Sequence, residues 1–323
     1  MKKFVFFSVC WTGMILFGGW VGYLEAPESY ARFERRIEKR AAYEFPDFDV
    51  EVYRQANGPG TFQRVMVAVP KKRPSRLPAV VVPFYYPEAM LGFDPKTGSL
   101  ESPLTPAHTN LSYFGEIAYM SDLAKRGYIA IGADAYYLTY ATNGAPASAW
   151  EKWGHAGKRL TADYPMWSGI GKLTFDTRLL VDFLEADGRV DAGRIGIVGH
   201  SLGGKMAFYA GCLDSRIKVV VASDFGIGWD QTNWQDVWYW GDKLAIVRKE
   251  GFDHARLLSL SGGKPFCLIA GKYDDETSGA IMRRAKGYEG FADRLKFVNH
   301  ASGHRPPRAA TEAGYAFLDR FLK

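Results

Sequence analysis

The chain has 323 residues, of which 47% are hydrophobic, 24% are charged and 15% are aromatic. This composition excludes a disordered, collagen-like or coiled-coil protein, and the length suits a single α/β enzyme domain or two average domains. The net charge of +6 is spread without a long basic run, so no nucleic-acid partner is expected. Nine tryptophans are the most unusual feature of the composition.

The N-terminus has the pattern of a targeting segment. Lys2 and Lys3 form a basic start, and residues 4–24 carry no charge. A helix of that length would reach about 31 Å, enough to span a bilayer. We therefore predict that residues 1–26 are a signal peptide or a membrane anchor, and that the protein is exported: periplasmic, secreted or tethered to a membrane through residues 4–24. A buried N-terminal helix is the alternative, which the lysines and the missing polar face disfavour.

The remaining chain divides into a short segment and one large domain. Residues 27–59 are predicted to be a helical or extended segment, in which the interleaved charges of residues 28–44 are typical of a surface helix. Residues 60–323 contain no linker and no internal repeat, so we interpret them as a single domain.

Short apolar runs alternate with helical patterns through this domain. The predicted strands are Thr61–Val69, Pro78–Phe84, Tyr128–Ala133, Arg194–Val198, Ile217–Ser223, Pro265–Ala270 and Arg294–Val298. The predicted helices are Phe114–Arg126, Lys172–Asp187, Leu202–Leu213, Ser278–Gly290 and Pro307–Phe321. Continuous apolar strands alternating with helices predict an α/β fold with a mostly parallel, doubly wound sheet.

Two long segments interrupt the alternation, at residues 136–170 and 225–263. Each follows a strand, so each should emerge at the carboxyl edge of the sheet, where open α/β sheets bind ligands. Together they hold all seven tryptophans outside the N-terminal segment. We therefore predict two aromatic-rich insertions near a ligand site.

The most informative motif is Gly199-His200-Ser201-Leu202-Gly203, which fits G-x-S-x-G. It directly follows an apolar strand and precedes a helical pattern, which is the context that the motif requires. The glycines keep Cβ atoms out of a tight turn that presents the Ser201 hydroxyl above the sheet edge. The Leu202 N–H at the helix start is then a candidate oxyanion donor. The alternative is a structural turn in a catalytically inactive protein used for binding.

Three segments resemble the α/β-hydrolase fold family, and within it the dienelactone hydrolase and acetyl-xylan-esterase-like branch. They are residues 123–135 (LAKRGYIAIGADA), residues 190–201 (VDAGRIGIVGHS) and residues 213–219 (LDSRIKV). The resemblance covers roughly residues 60–323. It implies a serine hydrolase with no cofactor and with catalytic groups in the chain order serine, acid, histidine.

The resemblance also implies which residues complete the site. His304 matches the glycine-histidine loop before the last helix, and His300 is the alternative base. Asp274 matches a G-x-x-D after the penultimate strand, and Asp224 is the alternative acid. In the loop after the first buried strand, the Tyr85 N–H is the candidate for the second oxyanion donor.

These observations predict hydrolysis of carboxylic esters through an acyl-enzyme on Ser201, with a small-molecule or polysaccharide ester as substrate. Aromatic insertions suit an exported esterase of acetylated xylan or a similar carbohydrate. The alternatives are a dienelactone-hydrolase-like or a peptidase-like enzyme. No metal is expected, because the histidines lack metal-ligand spacing. The candidate pocket residues are Trp150, Trp153, Trp167, Trp229 and Trp234.

Overall fold

A computed structural model describes residues 19–72, 76–93, 117–138, 140, 149–290 and 292–323. These residues form nine strands: β1 (Ile37–Glu44), β2 (Phe48–Gly58), β3 (Thr61–Pro70), β4 (Leu77–Val81), β5 (Ile129–Ala133), β6 (Val190–His200), β7 (Ile217–Ser223), β8 (Phe266–Ala270) and β9 (Leu295–Asn299). The helices are α1 (Glu28–Ala31), α2 (Pro87–Leu91), α3 (Tyr119–Lys125), α4 (Ala149–Asp163), α5 (Gly169–Ala186), α6 (Leu202–Leu213), α7 (Lys243–Lys249), α8 (His254–Ser259), α9 (Glu276–Arg283) and α10 (Arg308–Leu322).

All nine strands belong to one sheet, in the order β1-β2-β3-β5-β4-β6-β7-β8-β9. β1, β2 and β3 are antiparallel to their neighbours, and every pairing from β5 to β9 is parallel. Helices α5 and α6 cover one face, and α3 and α10 cover the other. The predicted doubly wound sheet is confirmed, and its central strands are buried on both faces.

The sheet is larger on its N-terminal side than the sequence predicted. The expected helix over residues 28–44 is wrong beyond Ala31, because Ile37–Glu44 is the edge strand β1. β2 pairs with β3 from Phe48 opposite Pro70 to Gly58 opposite Thr61. Residues 27–59 are thus structurally continuous with the domain that follows. An edge strand exposed on both faces carries no apolar alternation, so its charges resemble those of a solvated helix.

Part of the predicted leader packs onto the folded domain. Gly19–Tyr23 is a 3-10 helix, and its Trp20 is fully buried and stacked on Phe252 with ring centroids 4.0 Å apart. The backbone N–H and hydroxyl of Ser168 both donate to the Tyr23 carbonyl, at 2.9 and 2.7 Å. Residues 1–18, which hold most of the predicted leader, lie outside the described residues. Within the described ranges, no helix combines the length and apolar character needed to cross a membrane.

Candidate active site

Ser201 lies on a strained turn between β6 and α6. Its φ of 56° and ψ of −115° are unusual for a residue with a Cβ, and its N–H donates to the Ser223 carbonyl at 2.8 Å. A Cβ at Gly199 would overlap the Gly203 carbonyl, and one at Gly203 would overlap the Pro83 carbonyl. The two glycines of the motif therefore permit close approaches that no other residue allows. The turn has the geometry of a nucleophile elbow.

The structure brings Ser201 and His304 together. His304 Nε2 lies 2.9 Å from Ser201 Oγ, which is hydrogen-bond distance for a base and its nucleophile. Burial, together with the positive charges of Lys272, Lys205 and Arg305, lowers the pKa of His304 to about 4. His304 is thus neutral around pH 7 and able to accept the serine proton.

Neither candidate carboxylate contacts His304. The buried Nδ1 of His304 has no hydrogen-bond partner within the part of the chain that the structure describes. Asp274 instead accepts from the backbone N–H groups of Gly226 and Ile227, both at 2.8 Å, and from the Ser278 hydroxyl at 3.0 Å. Its carboxylate therefore anchors the start of the second insertion in this structure.

Asp224 also has a different partner. Its Oδ1 lies 3.1 Å from Nε2 of His300, the alternative base of the sequence analysis. Burial raises the pKa of Asp224 to about 8, and it also raises the pKa of Asp274. The structure places both acids at the carboxyl edge of the sheet beside Ser201 and His304. The choice of the triad acid stays a prediction.

The two candidate oxyanion donors lie on adjacent segments. Leu202 is the first residue of α6, and the close approach of Gly203 to the Pro83 carbonyl places the loop after β4 beside the elbow. In that loop, the Tyr85 ring stacks on Trp153 with centroids 4.3 Å apart and an interplanar angle of 11°. The arrangement suits two converging backbone N–H groups, whose role as an oxyanion hole stays a prediction.

The candidate pocket tryptophans fall into different environments. Trp150 is 57% exposed and meets Trp153 edge-on, with ring centroids 4.6 Å apart. Trp229 is half-buried against His254 in the second insertion. Trp167 and Trp234 are fully buried in this structure, and their role as substrate contacts stays a prediction. The indole N–H of Trp234 donates to the Gly226 carbonyl at 2.7 Å, so it braces the insertion from inside.

Sequence reasoning missed Lys205, one turn after Ser201 in α6. Its side chain is buried, with Nζ 2.9 Å from Asn233 Oδ1 and over the rings of Trp234 and Tyr239 at 4.7 and 4.4 Å. Burial lowers the pKa of Lys205 to about 7. A lysine inside an otherwise apolar helix was the available signal.

For metals, no group of three or more His, Cys, Asp or Glu side chains among the described residues is arranged to hold an ion.

Comparison with known proteins supports the fold and the resemblance. The model of the dienelactone hydrolase family matches residues 113–231. YtaP of Bacillus subtilis (strain 168), which is named as a hydrolase, is 26% identical over 170 residues. That match spans 49% of this chain and 54% of YtaP, so about half the length of the curated relative is covered.

Solved structures of similar shape are named as carbohydrate esterases. A glucuronoyl esterase from Solibacter usitatus has a TM-score of 0.65 at 13% identity, over 94% of this chain and 91% of that chain. A CE15 glucuronoyl esterase from Teredinibacter turnerae T7901 has a TM-score of 0.68 at 17% identity, over 92% and 80%. An acetyl xylan esterase from Paenibacillus sp. R4 has a TM-score of 0.55 at 18% identity, over 90% of each chain.

These matches define the class of protein. The chain has the α/β-hydrolase fold, with nine strands in one sheet and an elbow that carries Ser201 after β6. Within that fold, the family match over residues 113–231 confirms the resemblance to dienelactone hydrolases that the sequence indicated.

Proposed function

We propose that this protein is a serine hydrolase that cleaves carboxylic esters. The observation that carries the proposal is the 2.9 Å contact between Ser201 Oγ and neutral His304 Nε2 on a strained elbow. His304 takes the hydroxyl proton as Ser201 attacks the ester carbonyl, and the Leu202 and Tyr85 N–H groups stabilise the oxyanion. The alcohol leaves with the proton from His304, and water, activated by the same histidine, then releases the acid.

Hydrolysis of p-nitrophenyl acetate by Ser201→Ala and His304→Ala tests this proposal. Each variant should lose at least about 10³-fold in kcat, because nucleophile and base act as one unit. Ser215→Ala is the matched control, since Ser215 is exposed and distant in sequence from the elbow. Equal rates for wild type and Ser201→Ala would contradict the proposal. Turnover of aminoacyl anilides instead of esters would favour the peptidase alternative.

We further propose a carbohydrate ester as the substrate. The named esterase neighbours support this class, and so does a row of rings that runs from exposed Trp150 through Trp153 to Tyr85 in the loop after β4. Exposed flat rings stack well on sugar faces. A panel of acetylated xylan, methyl glucuronate esters and short p-nitrophenyl esters identifies the preferred ester.

The exposed ring of Trp150 allows a direct test of the carbohydrate proposal. Trp150→Ala should lower kcat/KM on the preferred polysaccharide ester by about tenfold, the loss expected for one stacking contact. It should leave kcat/KM on p-nitrophenyl acetate unchanged, because that substrate has no sugar face to stack on the ring. Ile246→Ala, at an exposed apolar residue of α7, is the control. A polymer rate that Trp150→Ala does not change would contradict stacking at this position.

We also propose export, with Gly19 and the residues after it retained in the mature protein. The uncharged residues 4–24 after Lys2 and Lys3 support targeting, and the burial of Trp20 against Phe252 argues against removal of residues 19–26. N-terminal sequencing of the protein from its native host tests this. We expect a first residue at or before Gly19, in the membrane or exported fraction. A mature chain that begins at Pro27, or a protein confined to the cytoplasm, would contradict it.

A further inference from the structure

A second histidine-carboxylate pair lies beside the first at the same sheet edge. His300 follows β9, and its Nε2 lies 3.1 Å from Oδ1 of Asp224, which follows β7 and is fully buried. The pair occupies the space above Gly271 at the end of β8, where a Cβ would overlap both side chains. Three adjacent strand ends therefore combine to build this pair, although the proposed reaction uses neither residue directly.

The hydrogen bonds around His300 define its tautomer. The Ser302 N–H donates to His300 Nδ1 at 3.3 Å, and the Ser302 hydroxyl lies 2.7 Å from the same atom. Since Nδ1 accepts, Nε2 carries the proton and donates to Asp224 Oδ1. His300 thus binds the buried acid with one nitrogen and the following loop with the other.

That loop carries His304. Ala301, between His300 and Ser302, has a positive φ of 50°, which tightens the turn, and the Lys272 N–H donates to the Gly303 carbonyl at 3.1 Å. His304 therefore lies four residues after His300 and one residue after Gly303, both of which are held by hydrogen bonds.

Asp224 is also linked by hydrogen bonds to the turn that carries Ser201. Ser223 Oγ lies 2.7 Å from Asp224 Oδ2, and the Ser223 carbonyl accepts from the Ser201 N–H at 2.8 Å. The buried ring of His200 lies between the two sites, with Nδ1 3.3 Å from Ser223 Oγ and its centroid 4.7 Å from that of His304. A continuous polar network therefore joins the elbow to the base loop.

We propose that Asp224 and His300 are positioning residues that hold the His304 loop against the elbow, and that Asp224 is not the carboxylate that orients His304. This inference rests on the proposed ester hydrolase function. An orienting carboxylate must be ionised to stabilise the imidazolium ion. Asp224 faces Ser223, His200 and His300, and burial together with the charge of Asp274 raises its pKa to about 8.

Asparagine keeps the shape of Asp224 and removes its negative charge. In Asp224→Asn, the amide oxygen accepts from His300 Nε2, and the amide nitrogen donates to Ser223 Oγ, so the link to His300 is kept while the Ser223 hydrogen bond reverses its direction. In Asp224→Ala and His300→Ala the network is cut, and His304 loses its anchor. The asparagine variant therefore separates a positioning role from an orienting one.

The test compares kcat, KM and melting temperature for p-nitrophenyl acetate hydrolysis by these variants. We expect Asp224→Asn to stay within about threefold of the wild-type kcat. Asp224→Ala and His300→Ala should each lose about 10- to 100-fold in kcat with KM nearly unchanged, which is the cost of a misplaced base. The double alanine variant should lose no more than either single variant, because both cut one network.

Two results would overturn the inference. A loss near 10⁴-fold in Asp224→Asn, as for removal of an orienting carboxylate, would make Asp224 the triad acid. Wild-type kcat in both alanine variants would contradict the positioning role. If an alanine variant fails to fold, the kcat of Asp224→Asn still decides whether Asp224 is the orienting carboxylate. Wild type and Ser201→Ala are assayed alongside, so equal rates for that pair would reveal failure of the proposed function itself.

Discussion

At the scale of single residues, the charge state of His304 controls the proposed chemistry. Its pKa is lowered to about 4, so the neutral base persists well below the usual histidine range. The kcat/KM for p-nitrophenyl acetate should therefore rise with pH through about 4 and level off above it. A pH-rate profile checks this expectation. An acid limb near 6.5 would instead show that a carboxylate contacts His304 in the working enzyme.

The same profile tests the influence of Lys205. Its positive charge opposes protonation of His304, so Lys205→Met should move the acid limb to higher pH. Lys249→Met, which removes an exposed charge from the end of α7, should leave the limb in place. A limb that is the same in both variants would mean that the charge of Lys205 does not lower the pKa of His304.

Sequence reasoning predicted the pair of Ser201 and His304 because each belongs to a local motif. Ser201 lies in G-x-S-x-G after an apolar strand, and His304 lies in a short loop before the last helix. The partners of the carboxylates could not be predicted in the same way. Whether Asp274 meets His304 or the Gly226 backbone depends on how the second insertion folds over the sheet. No motif in the chain encodes that contact.

At the scale of elements, the junction between α6 and the loop after β4 is the critical contact. Gly203→Ala would drive a Cβ into the Pro83 carbonyl and push the candidate oxyanion loop away from Ser201. We expect a loss of about 10²–10³-fold in kcat, the cost of one missing oxyanion donor. Gly188→Ala is the control, since its Cβ meets no atom within 4 Å. An unchanged kcat in Gly203→Ala would contradict this packing.

The N-terminal 3-10 helix offers a test of stability. Trp20→Ala would remove a fully buried ring that stacks on Phe252, and should lower the free energy of unfolding by about 3–5 kcal/mol. Trp150→Ala, at an exposed ring, should change it by less than about 0.5 kcal/mol. Denaturant unfolding measures both values. Equal midpoints for the two variants would show that residues 19–24 do not pack on the domain in solution.

Buried elements were predicted more accurately than exposed ones. β7 and α6 were predicted residue for residue, because each is a clear apolar pattern between turn signals. β1 was mistaken for a helix, since its residues face solvent on both sides and pair only with β2. Edge strands obtain their structure from a neighbouring strand, which local sequence does not reveal.

At the scale of the whole molecule, the parallel sheet gathers the chemistry at one edge. Ser201, Asp224, Asp274 and His300 follow β6, β7, β8 and β9 in turn, and His304 lies a few residues beyond. Residues separated by a hundred positions in the chain thus lie side by side, which is the usual consequence of this topology. The first insertion supplies Trp150 and Trp153, which form a row with Tyr85, and the second insertion begins directly after Asp224 at the same edge.

The central claim is that Ser201 forms a covalent acyl-enzyme with His304 as its base, and one measurement tests it most directly. The protein is mixed with p-nitrophenyl acetate, quenched with acid within the first turnovers, digested and examined by mass spectrometry. We predict one acetyl group on the peptide that contains Ser201 in the wild type, and none in Ser201→Ala. Turnover by the wild type with no acetyl group on that peptide, or with the group on another residue, would contradict the account.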